Sequence, residues 1–290
     1  MRAALNSAML RQSAAPPNSV PVGGADAMTR GPSASVPVWS RKRVRVGPAE
    51  PGNSRIVRPG DGRPPAPNLA DLVLYRDGLI LVIDKPAGIA VHPGPGGGPD
   101  LESGFDALRF GLPHPPALAH RLDRDTSGCL VLGRHPKALR RLGALFSERK
   151  VAKAYWAIVD GHPAKDFGRI ETGLRKLTRG SGWRMVVDPD GQRAVTDYRV
   201  LGADGRSAWL ELRPRTGRTH QIRVHCAALG CTVAGDPVYG RGNGPLQLHA
   251  RAISLPLYPA KPPIEVMAPP PPHMLAALAR LGYNSMDPGI

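Results

Sequence analysis

One carboxylate in a short motif, Asp123, has the surroundings that chemistry on a sugar or base would need. It lies in His-Arg-Leu-Asp-Arg-Asp-Thr-Ser-Gly, residues 120–128, between an arginine and a tight turn. An ionised carboxylate can attack a carbon or stabilise an oxocarbenium-like centre. A nearby arginine would keep it charged in a partly dry cleft. The alternative is structural, with Asp123 or Asp125 capping a turn that Thr126 and Ser127 complete.

A second motif, residues 215–225, concentrates cations and amide donors. It reads Arg-Thr-Gly-Arg-Thr-His-Gln-Ile-Arg-Val-His. The planar fork of an arginine such as Arg223 suits a carboxylate better than an ammonium does. Taken singly, Arg215, Arg218 and His220 are each more typical of solvated surface charges.

The chain shows no recognised metal or nucleotide fingerprint. His220 and His225 are not spaced like the two histidines of a His-Glu-x-x-His helix, and the glutamate is absent. The three cysteines contain no Cys-x-x-Cys pair. The glycines of residues 94–98 lack the Lys-Ser/Thr that follows them in a P-loop. We therefore expect no metal and no cofactor.

The net charge indicates the class of partner. Lys and Arg number 39 against 23 Asp and Glu, so the formal net charge is +16. A strongly basic protein most often meets nucleic acid and less often an anionic membrane surface, although general basicity without such a partner is an alternative. A membrane span would need about 18 consecutive apolar residues, and none is present. Sparse cysteines favour a reducing compartment, and we expect the cytoplasm.

The elements that must position the motifs begin near Leu69. Residues 1–68 are rich in Pro, Gly and Ser and carry a basic cluster, which predicts a disordered arm that tethers RNA or is dispensable. Residues 69–290 form one predicted domain. Apolar runs predict strands at 79–83, 129–133, 154–159, 194–201, 208–212 and 246–255. Helices are expected after Asp100, over 137–147 and 220–229, and near the end of the chain.

The order of these elements favours an α+β fold. Strands and helices do not alternate regularly, so we expect a mixed, largely antiparallel sheet flanked by helices and loops. Asp204-Gly205 predicts the turn of a hairpin between two of the strands. Residues 162–192 predict further hairpins, with a mobile loop around residues 179–182.

Together the two motifs resemble the signature of the RluA-type pseudouridine synthases, which modify RNA. His120 to Asp123, followed by Thr126 to Gly128, matches the core of the family motif. Segments 84–93, 153–159 and 235–240 resemble further family motifs in the family's order. The resemblance covers roughly residues 69–283 and implies the synthase catalytic fold with a central active-site cleft. An S4-type RNA-binding domain, which many relatives carry, is not evident in residues 1–68.

The resemblance implies a role for each matching residue. Asp123 corresponds to the catalytic aspartate, Arg223 to its charged partner, and Tyr155 to a tyrosine that lies against the base and assists proton removal from C5. Arg121 would enter the RNA stack when the target uridine flips out, and Ile222 would pack against the base. Without the resemblance, Tyr155 would be a core or edge-strand aromatic and Arg121 a salt-bridge residue.

The remaining expected RNA contacts are Lys85, in the motif beside the cleft, and Arg215, Arg218 and His220. We accordingly predict an RNA pseudouridine synthase, an isomerase that acts as a monomer without a cofactor. Large-subunit rRNA is the favoured substrate and tRNA is possible. One alternative is a non-catalytic RNA-binding or chaperone protein on the same scaffold. Another is a metal-dependent nuclease that uses Asp123, Asp125, His220 and His225.

Overall fold

The computed structural model describes residues 68–94, 98–180 and 182–284. The strands are β1 (Val73–Arg76), β2 (Ile80–Lys85), β3 (Ala117–Leu118), β4 (Ser127–Gly133), β5 (Ala152–Asp160), β6 (Phe167–Arg179), β7 (Gly182–Val187), β8 (Gln192–Ala203), β9 (Ser207–Pro214), β10 (Leu248–Leu255) and β11 (Ile264–Met267). The α-helices are α1 (Pro136–Ser147), α2 (Gln221–Ala228) and α3 (Pro272–Arg280). The predicted arm, except for Asn68, lies outside the described residues, so its disorder stays a prediction.

All the described strands join one sheet. Its main path runs β1-β2-β4-β10-β5-β9-β8-β6-β7, with β3 beside β4 and β11 beside β10. Every pairing is antiparallel except that of β4 with β10. The predicted α+β fold with a mixed, largely antiparallel sheet is therefore confirmed.

Alternation along the central strand β5 buries both faces of the sheet. Ala157 and Val159 join an apolar cluster that includes residues of α2. Trp156 and Ile158 point to the opposite face and join a cluster with α3. Successive side chains of a strand point to opposite faces, so Tyr155 lies on the α2 side and packs against the first cluster. The α2 face of β5 thus leads into the region of both motifs.

Most predicted elements are present, with one change of helix type. α1 and α2 occupy the predicted segments 137–147 and 220–229 within a residue or so at each end. β8 and β9 form the predicted hairpin, and β6 and β7 form another within 162–192. The segment after Asp100 is instead a 3-10 helix, Glu102–Leu108, whose chain leaves through Phe110 at φ 43. A short segment that ends in left-handed backbone cannot extend the i to i+4 ladder of an α-helix.

Two further sequence-based expectations concern the helices and the thiols. Across the described ranges, no helix has both the length and the apolar content that a membrane crossing requires. The three cysteines, Cys129, Cys226 and Cys231, are all free and buried.

Gly128 is the last residue of the first motif and the second residue of β4, and it has no room for a side chain. Its φ is 105, and a Cβ there would lie 2.3 Å from the carbonyl oxygen of Ala250 on β10. Gly128 and Ala250 face each other where β4 and β10 pair in parallel. The missing side chain therefore lets β10 approach the end of the Asp123 turn.

We predict that Gly128→Ala lowers the free energy of unfolding by about 2–4 kcal/mol, because left-handed strain and a backbone clash add together. Thermal and urea denaturation would measure the loss. Gly143→Ala is the matched control, since no atom lies within 4 Å of a Cβ at this helical position. It should stabilise the protein by about 0.5–1 kcal/mol. Equal stability of the two variants would contradict the role assigned to the β4–β10 approach.

Candidate active site

A cleft of about 1170 Å³ contains both motifs. This volume is slightly above the usual range for ligand pockets of about 300–1,000 Å³, and it is large enough to receive a nucleotide with its neighbours. The carboxylates lining it are Asp123 and Asp190. The cations lining it are Arg121, Arg124, Arg149, Lys153, Arg175, Lys176, Arg215, Arg218 and Arg223. This excess of positive charge favours a polyanion.

The turn that carries Asp123 is held by hydrogen bonds from a neighbouring loop and presents the Asp123 side chain to the cleft. The Thr126 N–H donates to the Asp123 carbonyl at 3.1 Å, which closes the turn. The Gly88 N–H donates to the Arg124 carbonyl at 3.0 Å, and Lys85 Nζ donates to the same carbonyl at 2.8 Å. The Asp123 side chain is 29% exposed, so its carboxylate remains open to a ligand.

Lys85 is a structural support of this turn, and its expected contact with RNA is wrong for this conformation. The side chain is fully buried, and Nζ donates to the carbonyls of Pro86 and Arg124, both at 2.8 Å. Burial lowers its pKa to about 8, while Asp125 and Asp123 act in the opposite direction. A lysine enclosed by its own loop has no surface left for a phosphate.

The buried centre of the site is an ion pair between Arg223 on α2 and Asp236. Arg223 Nε and Nη2 each donate to one Asp236 oxygen at 2.7 Å, which is a bidentate pair. The side chains of Arg223 and Asp236 are 5% and 0% exposed. Asp236 also accepts hydrogen bonds from the backbone N–H groups of Val238 and Tyr239. Burial alone would raise the pKa of Asp236, but these donors hold it below its usual value.

The third nitrogen of Arg223 faces the candidate carboxylate. Nη1 lies 3.7 Å from Asp123 Oδ2, an ion pair beyond ordinary hydrogen-bond distance. Arg223 is thus an ion-pair partner of Asp123, as predicted. Its two parallel hydrogen bonds, however, go to Asp236 and not to Asp123. As a result Asp123 keeps both oxygens for a substrate while remaining next to a fixed positive charge.

His220 lies beside the carboxylate rather than on an outer surface. Its Nε2 is 4.0 Å from Asp123 Oδ2, and Nδ1 is 2.9 Å from the Tyr239 hydroxyl. That hydroxyl already accepts the Met185 N–H, which favours donation of its own proton to Nδ1. The Nε2–H then faces Asp123. Burial lowers the pKa of His220, so the ring is neutral near pH 7 despite the neighbouring Asp123.

An exposed tryptophan of the β6–β7 hairpin covers this histidine. Trp183 stacks on His220 with ring centroids 5.0 Å apart and an interplanar angle of 26°. Lys176 Nζ lies 4.8 Å from the centroid of the same indole. Trp183 remains 44% exposed and lines the cleft, so part of its indole is open to a ligand.

Tyr155 and Ile222 provide the apolar side of the cleft. Tyr155 lies on β5 and Ile222 on α2, and both line the cleft and pack in the same apolar cluster. Burial raises the pKa of Tyr155 well above its ordinary value, and the charge of Asp123 raises it further. The phenol therefore stays protonated, which favours ring stacking and hydrogen-bond donation over action as a base.

The arginines that line the cleft differ in whether their side chains already donate hydrogen bonds within the protein. Arg121 is exposed and lines the cleft. Arg215 is exposed but its Nε donates to Asp197 at 2.7 Å. Arg218 Nε donates to the Arg193 carbonyl at 3.3 Å. A phosphate can approach each from solvent, so the contacts predicted for these three arginines stay predictions. The contact predicted for His220, which lines the cleft against Trp183, also stays a prediction.

His225 is buried away from the cleft. Its Nδ1 is 2.9 Å from Thr196 Oγ1, and its Nε2 is 3.2 Å from Thr172 Oγ1. The set proposed for a nuclease, which required His225 beside Asp123, is therefore not assembled. No group of three or more His, Cys, Asp or Glu that could hold a metal occurs within residues 68–94, 98–180 and 182–284.

Four residues of the site were absent from the predicted set: Asp236, Tyr239, Trp183 and Lys153. Asp236 and Tyr239 occur in the segment 235–240, which the sequence marked only as a family-like stretch. Their partners lie 13 to 54 positions away along the chain. No local periodicity signals such contacts.

Comparison of the sequence with known proteins shows the family to which the chain belongs. Residues 79–228 match the family model described as RNA pseudouridylate synthase. An uncharacterized RNA pseudouridine synthase of Zymomonas mobilis is 44% identical over 211 residues, which cover 71% of this chain and 96% of that protein. The ribosomal large subunit pseudouridine synthase D of Borreliella burgdorferi is 35% identical, over 69% of this chain and 62% of that protein.

A solved structure agrees with these sequence matches. Human RNA pseudouridylate synthase domain containing 4 superposes with a TM-score of 0.63 at 28% identity. The superposition covers 73% of this chain and 94% of the human one.

We predict that Asp236→Asn lowers the free energy of unfolding at pH 7 by about 3–5 kcal/mol, because the buried Arg223 loses its bidentate charged partner and keeps only the longer contact with Asp123. The pKa of Asp236 is depressed in the folded state, so its contribution is complete above the unfolded pKa of about 3.9. It is lost as the pH falls through the folded pKa. The difference between wild type and variant should accordingly shrink below about pH 4.

Denaturation curves at several pH values would measure this difference. Asp106→Asn is the control, since Asp106 forms an exposed i,i+3 pair with Arg109 and should contribute little. A difference that is absent at pH 7, or that grows in acid, would contradict the assignment.

Proposed function

Since this chain belongs to the RNA pseudouridylate synthase family and is an isomerase that acts on RNA, we propose that Asp123 carries the reaction. One observation supports this most directly. Asp123 is a partly exposed carboxylate in a strongly basic cleft, 3.7 Å from an arginine that is itself fixed by a second carboxylate. That arrangement keeps a nucleophile charged without occupying it.

The reaction exchanges one bond for another within a single nucleotide. The N1–C1′ bond of a uridine breaks, the base turns, and C5 forms the new bond to C1′. C5 loses a proton and N1 gains one, so the conversion is redox-neutral. Asp123 either attacks C1′ or assists elimination to a glycal, and both routes need the carboxylate ionised.

The neighbouring residues support the base and its release from the stack. Tyr155 and Ile222 would hold the uracil, with the protonated phenol as a hydrogen-bond donor. Arg121 would fill the space that the flipped uridine leaves, because a guanidinium can stack on bases and pair with phosphate. Unstacking costs a few kcal/mol, which the basic cleft offsets through phosphate contacts.

Large-subunit rRNA is the proposed substrate class, with tRNA as the second candidate. Support comes from a relative whose name is ribosomal large subunit pseudouridine synthase D. We further propose that the protein acts in the cytoplasm as a monomer. Three buried free thiols are compatible with a reducing compartment.

Release of tritium from RNA that carries uridine tritiated at C5 tests the proposal, because C5 must lose its hydrogen. Wild type should release tritium from ribosomal RNA, with or without EDTA, and leave the strand intact. Asp123→Ala should lower the rate by at least about a thousandfold, as expected when a nucleophile is lost.

Asp125→Ala is the matched control in the same turn. Asp125 does not line the cleft, so this variant should keep the rate within about fivefold. Equal loss in both variants, together with EDTA-sensitive strand cleavage, would favour the nuclease. Tight RNA binding without tritium release from ribosomal or transfer RNA would favour a binding protein.

A further inference from the structure

Lys153 is a half-buried lysine in the cleft to which neither motif assigns a role. It lies on β5 two residues before Tyr155, so the two side chains share one face of the strand. Both line the cleft. Their Cα atoms are about 7 Å apart at the rise of a β-strand. Lys153 therefore lies one residue pair further along the wall against which the base is proposed to stack.

The ammonium of Lys153 has no partner among the described residues. Within residues 68–94, 98–180 and 182–284, no acceptor takes a hydrogen bond from it and no carboxylate forms an ion pair with it. Lys153 acts electrostatically on His120, whose pKa it helps burial to lower. Burial lowers the pKa of Lys153 itself to about 8. Solvent in the cleft still reaches the ammonium, and an entering anion can replace that solvent.

The contrast with Lys85 shows that this is specific to Lys153. Lys85 is also buried near the site, but two backbone carbonyls accept hydrogen bonds from its ammonium. Lys153 instead points into open space that a ligand can enter. The second motif comes close to it at Gly217, where a Cβ would lie 3.8 Å from Lys153 Nζ. Because this residue is glycine, it adds no side chain between the ammonium and the cleft.

We propose that Lys153 binds a phosphate of the flipped uridine nucleotide. When RNA enters the cleft, this phosphate becomes the ion-pair partner of the ammonium. Asp123 is not its partner, because the carboxylate is held near Arg223 and no ion pair joins it to Lys153. A phosphate is the anion that every RNA brings into the cleft, and an ammonium binds it as a point charge. A base against Tyr155 has its own phosphate at about the distance that separates Tyr155 from Lys153.

This inference rests on the proposed function, because it takes the uridine site from Asp123 and Tyr155. It adds a contact that fixes the sugar end of the nucleotide while the base turns. Such a contact is made before and during the chemistry, so it contributes to binding and leaves the chemical step unchanged.

The test compares Lys153→Met, Lys153→Arg and wild type in tritium release from ribosomal RNA labelled at C5 of uridine. Lys153→Met should raise KM about tenfold with kcat unchanged, as for the loss of one charged hydrogen bond. The slope of log(kcat/KM) against log[salt] should become shallower by about 0.7, as for one lost phosphate contact on single-stranded RNA. Lys153→Arg should restore most of KM and the slope.

Lys261→Met is the matched control, since Lys261 is exposed, lies over Tyr258 and does not line the cleft. It should leave KM and the slope unchanged. The melting temperature provides a separate readout. A structural lysine would lower it when replaced, whereas a lysine without a hydrogen-bond or ion-pair partner in the described residues should leave Lys153→Met close to wild type.

The inference is overturned if Lys153→Met keeps the wild-type KM and salt slope, or if it lowers kcat alone. Failure of the proposed function is seen separately, as absence of tritium release by the wild type. In that case the salt dependence of RNA binding, measured by filter retention for the same variants, still decides whether Lys153 contacts a phosphate.

Discussion

The buried pair of Arg223 and Asp236 is the interaction on which the candidate site depends. Two hydrogen bonds of 2.7 Å fix the guanidinium plane, and backbone N–H groups in turn fix the carboxylate. The remaining nitrogen, Nη1, then points towards Asp123 at 3.7 Å. An arginine that divided its fork between two carboxylates would hold neither in one position. Because Asp236 takes the fork, the charge beside Asp123 is stationary and both Asp123 oxygens stay available.

The surrounding fold brings together two loops that are distant in sequence. The turn of Asp123 is held by Lys85 and by the close approach of β10 at Gly128. The second motif starts α2, which packs on the face of β5 that carries Tyr155. The sheet is therefore the rigid element, and the cleft lies where the loops of its central strands meet α2. Such a scaffold allows precise placement of charges without a metal.

Local patterns predicted the elements well because local energies specify them. Gly230 at positive φ ends α2 where the sequence placed its end, and the Asp204-Gly205 turn joins β8 to β9 as expected. Burial and pairing across the sheet have no such local signal. The burial of Lys85 and the Asp236 partner of Arg223 depend on which segments meet in space. The family-like motifs marked Asp123, Tyr155 and Arg223. They did not distinguish Lys85, which is buried and hydrogen-bonded to two carbonyls, from Lys153, which has no such partner.

The single-turnover rate of pseudouridine formation in Asp123→Asn tests the central claim most directly. Asparagine keeps the shape of the side chain and removes its charge, so the turn and the RNA-binding surface are retained. With enzyme in excess over ribosomal RNA, the rate should fall at least about a thousandfold, while RNA affinity and melting temperature stay near wild type. A rate within about tenfold of wild type under the same conditions would show that the Asp123 carboxylate does not carry the reaction.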